Sequence, residues 1–199
     1  MRTITTESKV YSFEDVMNDA ELKDKVLDKH RDINTDYDWW DCTCESWKED
    51  LIESGFYDTD IRFSGFYSQG DGASFIGRVD VHKWIEKNDI SGTYRRLLPL
   101  IGNVIDYSAF IKRDRWHNHV HENTTSLYMD WHIDTNKDHP RVYALLDKLE
   151  EDIYYHHKKL NNDIYLSLEG DYEGLREDEY ILECLEVNGY EFDEEGNIF

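Results

Sequence analysis

Four histidines near the middle of the chain are the side chains best suited to chemistry. His117, His119 and His121 alternate, and His132 follows at the end of the next predicted strand. Residues two apart on a strand share one face, so the imidazoles could bind zinc or a similar divalent ion. An exposed edge strand explains them as well, and their alternation has no meaning if they lie in a turn. We predict no obligatory cofactor, with such an ion as the alternative.

The segment 63–79 contains the best-defined local pattern in the chain. Aromatic and β-branched residues flank the polar sequence Gln69-Gly70-Asp71-Gly72, which predicts two antiparallel strands folded back at Gly70–Gly72. The backbone N–H groups of this turn could cradle an anion or a nucleotide. However, the lysine and the following helix of a phosphate-binding loop are missing, so a tight hairpin turn explains the sequence better.

Several aromatic residues could form a stacking platform or the centre of a protein interface. We assign Phe63, Phe75 and one of the two adjacent tryptophans to the core, because a sheet face and an amphipathic helix must meet. The other tryptophan and Tyr67 remain candidate surface anchors. The predicted binding residues of this region are Trp39, Trp40, Tyr67, Gln69 and Asp71.

Charge is concentrated at the two ends of the chain. The 199 residues include 44 acidic and 22 basic side chains, for a net charge of −22. Residues 61–140 carry ten of each sign, whereas residues 169–199 carry 12 acids and one base. Such a field repels nucleic acid and attracts basic surfaces, so direct nucleic-acid binding is disfavoured. The acids are either solvated helix faces or a surface that imitates DNA, with Glu177, Asp178, Glu179, Asp193, Glu194 and Glu195 as candidate binding residues.

The pattern of elements predicts an α+β fold in a single domain, residues 1–199. An antiparallel sheet of about four strands is packed by helices, and an acidic helical segment could occupy residues 1–55. Pro140 begins a long helix with an apolar stripe from Val142 to Ile164. Further helices are expected from about Phe13 to His30, from Tyr37 or Asp38 to Ser54, interrupted within Thr93–Ile105, and from Asp178 to Asn188; strands are expected from Ile61, from Ala73 to about Val81, from Tyr107 to Arg113 and within His119–His132.

The motif Ser64-Gly65-Phe66-Tyr67-Ser68-Gln69-Gly70-Asp71-Gly72-Ala73-Ser74-Phe75 resembles one that recurs in small uncharacterised proteins of tailed bacteriophages. Weaker similarities lie at His121-Glu122-Asn123-Thr124 and between Glu186 and Gly196. The resemblance spans about Phe56–Phe199 and implies a phage origin, without implying an activity. The acidic N-terminal stretch departs from that group, so a charge-dependent function would be particular to this chain.

We therefore expect a non-enzymatic phage accessory protein that binds and inhibits a host protein with a basic surface, such as a DNA-handling defence enzyme. One alternative is a metal- or nucleotide-binding domain or enzyme that uses the His117–His132 region. Another is a self-assembling protein, so a homo-oligomer is an open alternative. We expect the host cytoplasm and no membrane association, because no apolar run approaches the ~20 residues that span a bilayer.

Overall fold

A four-stranded antiparallel sheet occupies the middle of the chain. The computed structural model describes residues 9–114, 120–133 and 139–199. The strands lie in the order β1-β2-β3-β4, and the predicted α+β class and long helix near the C-terminus are confirmed. The described strands are β1 (Phe56–Phe63), β2 (Ala73–Val79), β3 (Ile105–Arg113) and β4 (Thr125–Ile133); the described helices are α1 (Phe13–Asn18), α2 (Ala20–Lys29), α3 (Asp41–Glu53), α4 (Val81–Asn88), α5 (Pro140–Leu175) and α6 (Asp178–Val187).

The chain divides into two compact units. Residues Asp41–Glu169 form the sheet unit, and the segments that end at Trp40 and begin at Gly170 form the terminal unit. Helix α5 contributes residues to both units. Among the described residues, no helix is both long and apolar enough to cross a bilayer.

One face of the sheet forms the core of the sheet unit. Phe56 on β1, Phe75 on β2 and Ile111 on β3 are buried on this face, where α5 packs. The Phe75 ring centroid lies 4.7 Å from that of His157 on α5, and the Phe56 ring lies 5.8 Å from His156. The residues of β3 and β4 that point to the opposite face are largely exposed, as expected for an antiparallel sheet that is covered on one side. The buried α5 side chains of this unit are Leu145, Leu146, Leu149, Ile153, His157, Leu160, Asn161, Ile164 and Leu168.

Two polar side chains of α5 bond the backbone of β2. The β2–β3 ladder pairs only Gly77 with Ile111 and Arg78 with Phe110. At Phe75, the backbone N–H donates to Asn161 Oδ1 at 3.0 Å, and the carbonyl oxygen lies 3.3 Å from His157 Nε2. Since a buried backbone group without a partner is costly, these contacts fix where the helix sits along the strand.

The terminal unit has its own apolar core. Its fully buried side chains include Val16, Val26, Ile181 and Phe192, from both ends of the sequence. The two ends are also joined by backbone hydrogen bonds, because Tyr11 N donates to Phe192 O at 2.8 Å and Phe192 N donates to Tyr11 O at 2.9 Å. The acidic N-terminal and C-terminal segments therefore fold together.

The single helix predicted from about Phe13 to His30 is instead two helices. The break falls at Asp19, whose carboxylate accepts hydrogen bonds from the backbone N–H groups of Glu21 and Leu22 and caps α2. Aspartate favours such a cap over a helix interior, because its side chain competes with the backbone for hydrogen bonds. The apolar periodicity alone therefore concealed the break.

The interrupted helix predicted within Thr93–Ile105 reduces to one 3-10 turn, Arg95–Leu97. The Asp89 carboxylate accepts from the backbone N–H groups of Thr93 and Tyr94, which holds the preceding loop in a non-helical conformation. Burial by itself would raise the pKa of Asp89, but these hydrogen bonds and one from the Ser91 hydroxyl together outweigh it and lower the pKa. The leucines of this segment pack without forming a helix.

Several predicted boundaries were wrong by a few residues. Helix α3 begins at Asp41, after both tryptophans, and β1 begins at Phe56, before the predicted Ile61. The segment after β2 forms α4, an eight-residue helix capped by Asp80. The predicted tight turn is a longer loop, residues 64–72, between β1 and β2.

We expect His157 to make stability depend on pH. Burial lowers the pKa of His157 to about 4 from its ordinary 6.5, because the charged imidazolium would lose its hydration there. Between pH 6.5 and pH 4, the His157 imidazole is protonated in the unfolded chain but stays neutral in the folded chain. Proton uptake therefore favours the unfolded chain, and the free energy of unfolding decreases as the pH falls towards 4. The loss is about 3 kcal/mol, from ~1.4 kcal/mol for each pKa unit. Urea unfolding of His157→Gln between pH 7 and pH 4 should show a shallower pH dependence than the unsubstituted protein, whereas exposed His132→Gln should not.

Candidate functional site

An acidic groove with an apolar floor lies between α1 and α6 of the terminal unit. Its volume is about 730 Å³. Glu179, Glu183 and Glu186 recur at helical spacing along one side of α6, with Glu14 across from them on α1. The floor consists of Phe13, Met17 and Leu182. We call these seven residues the acidic groove.

Local sequence explains how the groove is held. The Ser12 hydroxyl accepts a hydrogen bond from Asp15 N, and the Asp15 carboxylate accepts one from Ser12 N at 2.8 Å, which caps α1. The Ser12 hydroxyl also donates to the Asp15 carboxylate, and this bond, together with the one from Ser12 N, lowers the pKa of Asp15. On the opposite side, Ile181 and Leu185 bury one face of α6, which directs the glutamates outward. Amphipathic helices on both sides therefore present acids around an apolar strip.

The terminal unit keeps a large negative charge after its internal ion pairs are considered. Residues 9–40 and 170–199 carry 20 acidic and six basic side chains, a net charge of −14. Arg31 pairs with Asp178, Arg176 with Asp32 at 2.9 Å, and Lys25 with Glu21 at 2.9 Å. The predicted binding residue Asp178 is thus engaged by an arginine, whereas its neighbour Glu179 lines the groove.

The other predicted acids of the C-terminal segment have different surroundings. Glu194 and Glu195 line a second recess of about 410 Å³, together with Glu21 of α2 and its capping residue Asp19. Asp193 instead accepts hydrogen bonds from Asn197 and from Glu195 N, and the Asn197 bonds lower its pKa most. Glu177 is exposed immediately before α6 and makes no side-chain capping bond. Asp193 therefore shapes the terminal turn, while the glutamates face solvent.

The loop between β1 and β2 is closed by its own aspartate. The Asp71 carboxylate accepts hydrogen bonds from the backbone N–H groups of Tyr67 and Ser68, at 3.0 and 2.6 Å. These are donors that an anion cradle would require, and Asp71 already occupies them. Tyr67 and Gln69 are exposed on the same loop, and Tyr67 is 66% exposed. The predicted loop residues thus divide into a structural aspartate and two surface side chains.

The tryptophans lie in the turn before α3 and are half-buried. The Trp39 ring lies 5.7 Å from Trp40 and 5.6 Å from Tyr172, measured between centroids. Both tryptophans belong to the terminal unit, whereas Tyr67, Gln69 and Asp71 belong to the sheet unit. The structure therefore divides the predicted aromatic set between the two units.

Of the four predicted metal-binding histidines, His117 and His119 lie outside the described residues. His121 Nδ1 accepts a hydrogen bond from Asn123 N at 3.1 Å, just before β4, and His132 is exposed near the end of that strand. Between them in the chain, β4 runs for roughly 23 Å from Thr125 to His132, at about 3.3 Å per residue. Within residues 9–114, 120–133 and 139–199, no group of three or more histidine, cysteine or acidic side chains could hold a metal ion.

Sequence reasoning missed most of the acidic groove. It selected Glu179 but not Glu14, Glu183 or Glu186. The selection used the number of acidic residues in a segment and ignored which face of a helix each acid would occupy. The available signal was the spacing of those acids around the apolar positions of α6. The partner helix α1 could not have been paired with α6 from local patterns, since 159 residues lie between them.

The fold and surface describe an α+β protein with an open sheet face and an acidic helical unit. A family model for a Domain of unknown function (DUF8835) matches residues 39–178, more than two thirds of the chain, so the chain belongs to this family. No curated protein and no solved structure matches the chain. The matched segment includes the whole sheet unit, whereas every residue of the acidic groove lies outside it.

We expect Gly72→Ala to destabilise the protein. A Cβ at this position would lie 2.4 Å from the His121 Cβ and 2.8 Å from its Cα, so one backbone segment would have to move. Overpacking of this kind typically costs about 1–3 kcal/mol. Gly170→Ala in α5 is the matched control, because nothing lies within 4 Å of its added methyl group, and helix propensity should raise stability by about 1 kcal/mol. Urea unfolding of both variants checks this, and equal stability changes would contradict the close approach at Gly72.

Proposed function

We propose that this protein is a non-enzymatic binding protein whose terminal unit recognises a basic, amphipathic segment of another protein. The acidic groove carries this proposal, because it combines an apolar floor with a rim of four glutamates. An amphipathic helix could place its apolar side chains on Phe13, Met17 and Leu182 and its lysines or arginines against the rim. Apolar burial would supply affinity, and the charges would supply specificity and a fast association rate.

Folding of the two ends into one unit also supports this function. Acids that are remote in sequence share a unit with a net charge of −14. Its arginine ion pairs join the first segment of that unit to the second, and they leave the groove glutamates without a cation partner among the described salt bridges. The field of the unit therefore attracts cationic surfaces, and salt should screen this attraction.

We further propose that the partner is a host DNA-handling enzyme and that the protein acts during phage infection. A DNA-binding cleft is basic because it must neutralise phosphates, so a strongly acidic protein can compete for it. The phage origin rests on the resemblance of the Ser64–Phe75 motif, and the inhibitory role rests on the charge of the terminal unit.

Charge reversal in the groove should strongly weaken binding of a basic amphipathic helix. The probe is a fluorescent 18-residue peptide of lysine, alanine and leucine, with leucines at i, i+3, i+4 and i+7, measured by anisotropy in 50 mM salt. Glu179→Lys/Glu183→Lys/Glu186→Lys should weaken binding at least tenfold, since each exposed charge contact is worth up to about 1 kcal/mol and is replaced by repulsion.

The matched control is Glu45→Lys/Glu49→Lys/Glu53→Lys on α3, which changes the net charge equally at exposed helix positions of the sheet unit. It should alter binding less than threefold. A peptide with the same composition but dispersed leucines should bind more weakly to the unsubstituted protein. Equal losses in the two triple variants would show that total charge, rather than the groove, governs binding, and the proposed site would be wrong.

Inhibition of a DNA-handling enzyme is tested after affinity capture from host lysate. The captured enzyme should bind duplex DNA less tightly when the protein is added, and the α6 triple variant should lose this effect. Raising salt from 50 to 500 mM should release the enzyme, because the Debye length falls to a few ångströms. Capture of enzymes whose DNA binding is unaffected would contradict competition at the DNA cleft.

A further inference from the structure

The sheet face opposite α5 carries an ordered row of side chains across all four strands. The register pairs Tyr57 with Arg78, Arg78 with Phe110, and Phe110 with Tyr128. Each of these residues points away from the core face, because its neighbours Phe56, Val79 and Ile111 are buried. The sequence Tyr-Arg-Phe-Tyr is therefore assembled from four separate strands, and no local motif reveals it.

The two aromatic residues on β3 and β4 already stack. The ring centroids of Phe110 and Tyr128 lie 5.5 Å apart with an interplanar angle of 21°. Lys112 Nζ lies 4.2 Å from the Phe110 centroid and 6.0 Å from that of Tyr128. Phe110 and Tyr128 therefore form a stacked aromatic pair, and the Lys112 ammonium group lies beside it.

The other side of Phe110 faces a groove. Its volume is about 720 Å³, and Tyr57, Arg78, Phe110 and Lys112 are among its lining residues. Tyr57 and Phe110 sit on strands separated by β2, so their backbones are roughly 10 Å apart. A planar ring stacked on both faces needs about 7–8 Å between the flanking rings. The strand spacing therefore leaves room for one aromatic ring between Tyr57 and Phe110 when the Arg78 side chain, which the register places between them, leans towards Asp58.

The cations of the groove are available to a ligand. Arg78 contacts Asp58 at 3.6 Å, but both side chains are more than 60% exposed, and such a pair contributes little. Arg78 lies between the two aromatic residues of the row and Lys112 lies beside Phe110, so both cations suit a phosphate attached to the ring. Asp60 and Ser108 also line the groove and could accept hydrogen bonds from amino groups of a base.

The same surface disfavours a long nucleic-acid strand. Asp58 and Asp60 line the groove beside Arg78, and the chain as a whole carries a net charge of −22. Each additional phosphate would add repulsion, whereas a single nucleotide needs only the two local cations. The ring, the cations and the acceptors together match one base with one attached phosphate group.

We propose that the open sheet face binds a mononucleotide, with its base between Tyr57 and Phe110 and its phosphate on Arg78 and Lys112. This site is independent of the acidic groove. It lies entirely within the segment that matches the family, whereas the acidic groove lies outside it.

Calorimetric titration with AMP, GMP, CMP and UMP tests the proposal. At least one nucleotide should bind with one-to-one stoichiometry, and inorganic phosphate alone should bind much more weakly. Tyr57→Ala and Phe110→Ala should each weaken binding at least fivefold, as expected for loss of one base-stacking partner. Tyr143→Ala removes a comparably exposed tyrosine from α5 and should leave binding unchanged.

Arg78→Gln separates base recognition from phosphate recognition. It should weaken nucleotide binding at least fivefold while leaving the affinity for the parent nucleoside within twofold. Because Phe110 contributes to the sheet, Tyr57→Ala on the edge strand decides the result if Phe110→Ala fails to fold. Absence of nucleotide binding at millimolar concentration, or binding unaffected by both Tyr57→Ala and Arg78→Gln, would overturn the proposal. Tighter binding of a 12-residue oligouridylate than of UMP would also overturn it, by identifying a strand-binding surface.

Discussion

The contact between the Phe75 backbone and α5 determines what the sheet unit can do. Asn161 and His157 bond a strand segment where the β2–β3 ladder has ended, and this fixes the helix over one face of the sheet. A misplaced helix would leave buried polar groups of β2 without partners, at a cost of about 1–3 kcal/mol each. Because α5 takes one face, the other face is left to solvent, and its side chains are free to contact a ligand. The position of the open face thus follows from a polar contact inside the core.

Much of the sheet unit could be predicted from its sequence. The Pro140 start and the apolar stripe of α5 identify that helix, and the aromatic and β-branched runs identify β1 to β4. The failures have a common cause in local hydrogen bonds. Asp19 divides one apolar periodicity into two helices, and Asp89 holds a leucine-rich segment in a loop. Each of these aspartates accepts hydrogen bonds from backbone N–H groups two to five residues further along the chain. A search for apolar periodicity does not detect such local hydrogen bonds.

The candidate sites were harder to predict because both depend on long-range pairing. Glu179 was identifiable as an exposed acid, but the groove needs α1, whose side chains come from the other end of the chain. Likewise Tyr57, Arg78, Phe110 and Tyr128 are ordinary strand residues until the register aligns them. In contrast, the motif 64–75 is conspicuous in the sequence because its loop needs glycines and the Asp71 carboxylate to keep its conformation. This requirement is structural and does not depend on a ligand. A strong local signal and a functional site are therefore different things in this chain.

The two surfaces obey opposite electrostatic requirements within one protein. Each nearby carboxylate strengthens the binding of a basic partner to the acidic groove. Each one also weakens the binding of a phosphate to Arg78 and Lys112. Most of the excess negative charge lies in the terminal unit, and the sheet unit carries −8 of the total −22 over nearly two thirds of the chain. The family match covers the sheet unit and omits α1 and most of α6. The acids are concentrated in segments that lie outside the family match. The cations of the open sheet face therefore have fewer carboxylates near them in the sequence. This arrangement allows a strongly acidic chain to retain a surface that suits a small anion.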